Sequence, residues 1–136
     1  MERTIILAMD ASDGAKAALP VAEQIARRDR AHLVVAHAQT HAIETRLQAE
    51  LEAKVEELCD SGVDAELVFR TELAGHEANM LAALADERHA EMIVIAGRGR
   101  SPLSGAMMGS VTQRLLHVAG CQVLVVPAPV SLPAGS

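Results

Sequence analysis

The chain is expected to form a doubly wound α/β domain: an open, five-stranded parallel sheet with helices on both faces. Three observations predict this class. Five short runs rich in Val and Ile recur along the 136 residues. Each is nearly free of polar interruption, as strands covered on both faces require. Longer segments with helical apolar spacing separate them, the alternation that right-handed βαβ crossovers produce.

The first run, Thr4-Ile5-Ile6-Leu7-Ala8-Met9, predicts strand one, and a stripe of Ala15, Ala18, Leu19, Ala22, Ile25 and Ala26 predicts the first helix. Pro20 interrupts that stripe. Inside a helix it would remove a backbone hydrogen bond at about 3 kcal/mol, so the helix either bends there or begins later. Strand two is read over His32–Ala38, and a second helix over the stripe Ile43, Leu47, Leu51, Val55 and Leu58. Strand three covers Ala65–Phe69, and Leu81, Leu84 and Ala85 mark the helix after it. Strand four covers Glu91–Ala96, a helix carries Val111, Leu115 and Val118, and strand five covers Gln122–Val126. Gly62 and Gly120 fall just past helix ends, where a left-handed closing residue is wanted. One domain is expected over residues 1–128, with residues 129–136 as a flexible tail.

Composition narrows the function. The residues are 50% hydrophobic and 1% aromatic, Phe69 being the aromatic residue, so a base-stacking platform for single-stranded nucleic acid is excluded. A net charge of −6 offers no basic field to gather phosphate backbones, and no nucleic-acid partner is expected. No apolar run nears the roughly 18 residues of a membrane span, so no membrane partner is expected either. The start of the chain lacks a secretory pattern. Cys59 and Cys121 therefore read as reduced thiols in a cytoplasmic protein. Neither has a second ligand at zinc spacing. His32, His37 and His41 are spaced too irregularly for a metal triad, and His76, His89 and His117 read as solvated helix residues.

In an open parallel sheet, ligands bind beyond the carboxyl ends of the strands, where strand order reverses. The segment after strand one is Asp10-Ala11-Ser12-Asp13-Gly14, with Asp10 either a strand-end cap or a ligand contact, and Ser12 with Asp13 as helix N-caps. After strand four comes Gly97-Arg98-Gly99-Arg100-Ser101-Pro102, and Gly109-Ser110-Val111 opens the last helix. Two glycines permit close backbone approach, a helix start presents unpaired amides, and Arg98 and Arg100 add positive charge, all of which suits phosphate. The plain alternative is a surface turn with solvated arginines and a helix cap at Ser110. P-loop, G-x-G-x-x-G, G-x-S-x-G and H-E-x-x-H patterns are all absent. No nucleophile beside a base, and no carboxylate pair, forms a catalytic constellation.

These motifs together resemble the universal stress protein family. Ile5–Met9 with Asp10-Ala11-Ser12 is similar to its opening strand and D-x-S. Gly97-Arg98-Gly99 through Gly109-Ser110-Val111 is similar to its G-x-x-G-x9-G-[ST] nucleotide loop, and Cys121–Pro127 to its closing strand. The resemblance spans essentially the whole chain. It implies strand order 3-2-1-4-5, ATP as ligand, with magnesium or manganese as its candidate companion, and a homodimer paired through Val123–Val126. It also implies a nucleotide site in which Asp10 meets the adenine beside the Ala38 backbone and Gly97 and Gly99 line the ribose and phosphates. Gly109, Ser110 and Val111 would hold the phosphates through amides and the Ser110 hydroxyl, and Ala8, Ala96, Arg98 and Arg100 complete the set. Three positions depart from the pattern: Ala96 replaces the first glycine, Pro102 stands where glycine is frequent, and Gly105 where a basic residue is common.

The expected function is a cytosolic, dimeric ATP-binding module of stress signalling with an unidentified protein partner. An interaction module of the same fold without nucleotide, and a slow ATPase, are the alternatives. Without a water-activating base, hydrolysis would be slow.

Overall fold

A computed structural model describes residues 2–10, 15–40, 44–97 and 109–127. Five parallel strands, β1 (Thr4–Ala8), β2 (His32–Gln39), β3 (Ala65–Thr71), β4 (Met92–Gly97) and β5 (Gln122–Pro127), form one sheet in the order β3-β2-β1-β4-β5. Helices α1 (Ala18–Asp29), α2 (Thr45–Asp60), α3 (Glu77–Arg88) and α4 (Ser110–Val118) connect them. The predicted fold class and strand order are those observed.

The side-chain period of two divides the apolar runs between two cores. Ile5, Leu7, Leu33, Val35 and Val94 point toward Ala18, Ala22 and Ala26 of α1 and Leu51 and Leu58 of α2. Their neighbours Ile6, Val34, Ala36 and Ile93 point the other way, toward Leu81, Leu84 and Ala85 of α3 and Leu115 of α4. Strands β1, β2 and β4 are buried along nearly their whole length, whereas β3 and β5, at the edges, are half-buried. A small-residue face on α1 lets that helix lie close to the sheet, which suits a core without large aromatics.

Pro20 falls in the first turn of α1, behind a 3-10 turn over Ala15–Ala17. Amides of the first turn have no intrahelical acceptor, so the missing N–H costs nothing there. The later start resolves the conflict in the apolar stripe.

Three helices close in one way. Gly62 follows α2 at φ 98°, and the Val63 amide donates back to the Leu58 carbonyl at 2.9 Å. Arg30 after α1 (φ 53°) and His89 after α3 (φ 52°) take the same left-handed turn, with Ala31 donating to Ala26 and Ala90 to Ala85, both at 2.9 Å. Each bond satisfies an orphan carbonyl and turns a buried residue into the core. The expectation for Gly120 is not met: α4 ends through Ala119 in extended backbone (φ −70°, ψ 134°), and Gly120 is not in the left-handed region. Here the chain turns straight into β5 without the tight reversal that needs a positive φ.

Candidate functional site at the carboxyl edge of the sheet

The strand order puts β1 and β4 side by side at the sheet centre, with chain connections leaving in opposite directions. Ala8 pairs with Ala36 on one side and Ile95 on the other. Two residues further on, Asp10 leaves β1 and Gly97 ends β4, at matching heights. This is the switch point of an open sheet, where a crevice forms because the helices diverge to opposite faces.

Ala8, Ala38 and Val111 belong to the α3–α4 core, so the structure brings these three expected site residues to one side of the sheet edge. Ala96 packs on the opposite face, against the α1–α2 core. Gly97 is buried, and a Cβ there would stand 3.0 Å from Val125 Cγ1, so glycine is what lets β5 lie flush against the end of β4. Asp10 is exposed and makes contacts of its own. Gly109 is the residue before α4 and its carbonyl accepts the first helical bond, from the Gln113 amide at 3.0 Å. Ser110 is therefore the first helical residue, as the opening Gly109-Ser110-Val111 implied, and not the cap of the plain alternative; its side chain is exposed at the positive end of the helix. Arg98, Gly99, Arg100, Pro102 and Gly105 lie outside the described residues, as do Ser12, Asp13 and His41.

The end of β2, where His37 was read from sequence only as no part of a metal triad, holds a buried polar cluster. His37 is 5% exposed. Its Nδ1 lies 2.7 Å from the Met9 carbonyl oxygen and its Nε2 2.6 Å from Glu44 Oε2. The ring rests on Phe69, centroids 4.7 Å apart. Glu44, the residue before α2, also donates its amide to Gln39 Oε1 at 3.3 Å. A histidine inside an apolar strand, with its carboxylate seven residues further along the chain, matches no sequence motif. Its position inside a two-face-buried run was the available signal. Beside it, a cavity of about 1020 Å³ opens between the N-terminal halves of α1 and α2, lined by Met9, Asp10, Leu19, Glu44 and Leu51 among others.

The other histidines follow expectation: His76 and His89 flank α3, and His117 is exposed on α4. His32 sits at the opposite edge of the sheet, its Nε2 3.0 Å from Glu66 Oε1 and its Nδ1 3.0 Å from Asp64 Oδ2. Partial burial pulls its pKa down, but the hydrogen bonds and charges of Glu66 and Asp64 outweigh that and raise it above the ordinary histidine value. Glu66 also pairs with Arg88; burial pushes its carboxyl up, and His32 and Arg88 together hold it below the usual range. Cys59 and Cys121 are both free thiols. Among the described residues no cluster of three His, Cys, Asp or Glu is arranged for a metal ion, and no helix is long and apolar enough to cross a membrane.

A doubly wound parallel sheet with glycines, a helix start and an aspartate at its switch point defines an α/β protein of the open-sheet class, in which ligands bind at that edge. The family model of the universal stress protein family matches residues 1–127, and the chain belongs to that family. It is 31% identical over 138 aligned positions to the universal stress protein in the QAH/OAS sulfhydrylase 3′ region of Thermus aquaticus, covering 93% of this chain and 99% of that one. A universal stress protein solved in complex with cAMP is 28% identical with a TM-score of 0.71, over 91% of this chain and 95% of the other. The Archaeoglobus fulgidus family member solved with dAMP shares the fold at TM-score 0.68 and 22% identity, over 93% and 98% of the two chains.

Proposed function

We propose that this protein binds an adenine nucleotide, ATP in the first place, in the crevice between the ends of β1 and β4, and acts as a cytosolic, nucleotide-dependent signalling module. The observation that carries the reading is the joint placement of Ala8, Ala38 and Val111 on one side of the edge, next to the exit of Asp10 and the start of α4. The related structure with cAMP supports it. In this reading Asp10 and the Ala38 backbone meet the adenine. Gly97, Gly99 and the flanking Ala96, Arg98 and Arg100 line the ribose and phosphates, and the amides and hydroxyl of Gly109–Val111 take the phosphates. A magnesium or manganese ion would enter on the phosphate oxygens.

The protein also pairs with a second copy through β5. Its outer edge has no neighbour among the described strands, and an open row of amides and carbonyls over half-buried valines favours strand addition.

The test is to denature the protein as purified and identify any released adenine compound by mass, then to titrate ATP into the parent and Ser110→Ala. Loss of the hydroxyl is expected to weaken binding roughly tenfold, the worth of one hydrogen bond to a charged oxygen. No released nucleotide and a flat titration at millimolar ATP would overturn the reading in favour of a nucleotide-free interaction module, toward which the Ala96, Pro102 and Gly105 departures point.

A further inference from the structure

The two helix pairs cover the sheet differently. On one face α3 and α4 pack directly on each other. On the other, α1 and α2 are joined at their closing ends, where Arg27 in the last turn of α1 donates to the Ser61 carbonyl at 3.0 Å and to the Ser61 hydroxyl at 2.6 Å. Toward their starts these helices stand apart, and the cavity of about 1020 Å³ lies between them, a volume suited to a small molecule. Met9 and Leu51 at its base belong to the α1–α2 core, whereas Ala8, Ala38 and Val111 belong to the α3–α4 core. The cavity and the nucleotide crevice therefore lie on opposite faces of the sheet edge, with Asp10 bordering both.

The walls of the cavity are aliphatic. Met9 and Leu51 are buried, and Leu19 and Leu47, half-buried, leave apolar surface open to it. Among the described residues no aromatic ring lines it, so a flat base finds no stacking partner there and flexible methylenes fit better. Its rim is balanced in charge, with Lys16, Arg46 and Lys54 against Asp10, Glu44 and Glu50. These charges are already engaged. Glu44 meets His37 at 2.6 Å, Glu50 pairs with Arg46 at 3.5 Å, Lys54 pairs with Glu57 at 3.2 Å, and Asp10 and Lys16 make contacts of their own. A charged ligand would have to break one of these contacts and would face as many like charges as opposite ones. A hydroxyl needs no counter-charge and can donate and accept among them.

We propose that the cavity between the starts of α1 and α2 binds an uncharged aliphatic amphiphile, an unbranched chain of methylenes ending in a hydroxyl. The chain lies on Met9, Leu19, Leu47 and Leu51, and the hydroxyl stays among the rim charges at the mouth. Binding is driven by removing apolar surface of both ligand and wall from water, while the charge balance of the rim selects against a charged head. The proposal is independent of the nucleotide reading, since its site lies on the other face.

The test is to titrate octanol into the full chain and follow its methyl groups by NMR. Saturable shifts are expected at Met9, Leu19, Leu47 and Leu51, with Leu84 and Leu115 on the other face unmoved. Octanoate and octylammonium, the same chain with either charge, are expected to bind roughly fivefold more weakly or worse. Leu47→Trp fills the opening from a half-buried position and is expected to weaken octanol by roughly tenfold. Leu19→Trp does the same from α1, so that one variant remains informative if the other fails to fold; unchanged methyl signals on the α3–α4 face report that each is folded. Shifts that rise without saturating, or that spread over both faces, overturn the proposal. So does octanol binding that a folded tryptophan variant leaves unchanged. Octanoate or octylammonium binding as tightly as octanol overturns the uncharged class of ligand. ATP titrated into the same sample reads the nucleotide crevice separately, and its failure to bind leaves the octanol result standing.

Discussion

His32 lies where Asp64 and Glu66 both reach its ring, and the net effect raises its pKa. A folded-state pKa above the unfolded one contributes stability that is complete below the ordinary histidine value of about 6.5 and is lost as pH rises through the folded value. Glu66 is lowered, so its contribution is present above the ordinary carboxylate range and is lost as pH falls through its folded value. The pair therefore stabilises most between those limits. The two groups are partly exposed, so the effect is modest after solvent screening. Denaturant midpoints of the parent and His32→Gln are expected to converge as pH rises from about 6 to about 9. A constant gap between them would show that His32 contributes through packing alone. The charge balance at this edge was legible in the sequence only as scattered polar residues, because Asp64, Glu66 and Arg88 come from a loop, a strand and a helix.

At the scale of elements, the strands sit within about two residues of where the apolar runs place them, since a two-face-buried strand has few ways to be written. Boundaries moved where polar residues continue a strand: β3 runs on through Arg70 and Thr71 because the edge position leaves that end half-solvated. Helix ends were harder to read. The glycine rule identified the α2 end at Gly62 and failed for α4 at Gly120; it offered nothing for α1 and α3, which close on Arg30 and His89 in left-handed backbone. Non-glycine residues are strained there, by about 1 kcal/mol or slightly more, and hold because the next residue, Ala31 or Ala90, is anchored in the core. Arg30→Gly and His89→Gly are each expected to stabilise the protein by a few tenths to about 1 kcal/mol, the relief of strain exceeding the entropy that glycine adds to the unfolded chain. Equilibrium unfolding in urea measures it. A destabilisation by either variant would mean that the side chain at that position makes contacts that outweigh the strain.

For the whole molecule, the outer edge of β5, which has no neighbour among the described strands, and the half-buried valines along it lead to a solution mass prediction. Light scattering across a dilution series is expected to give twice 14.4 kDa at micromolar concentration. A monomer mass throughout would mean the edge is protected by the chain itself, and pairing through Val123–Val126 would be withdrawn.

Sequence alone determined the parallel doubly wound class, the approximate span of every strand, the glycine and helix-start pattern after β4, and the family resemblance. Each is written in local periodicity or in residues close together along the chain. Only the tertiary structure decided that Pro20 sits harmlessly in a first turn, that Ala8, Ala38 and Val111 share one face, and that Ser110 begins α4 with Gly109 before it. It alone revealed that His37 joins β1, β2, β3 and α2 through Met9, Phe69 and Glu44. The physical reason is that a buried polar group must find its partners wherever the fold brings them, and here those partners lie seven, 28 and 32 residues away along the chain.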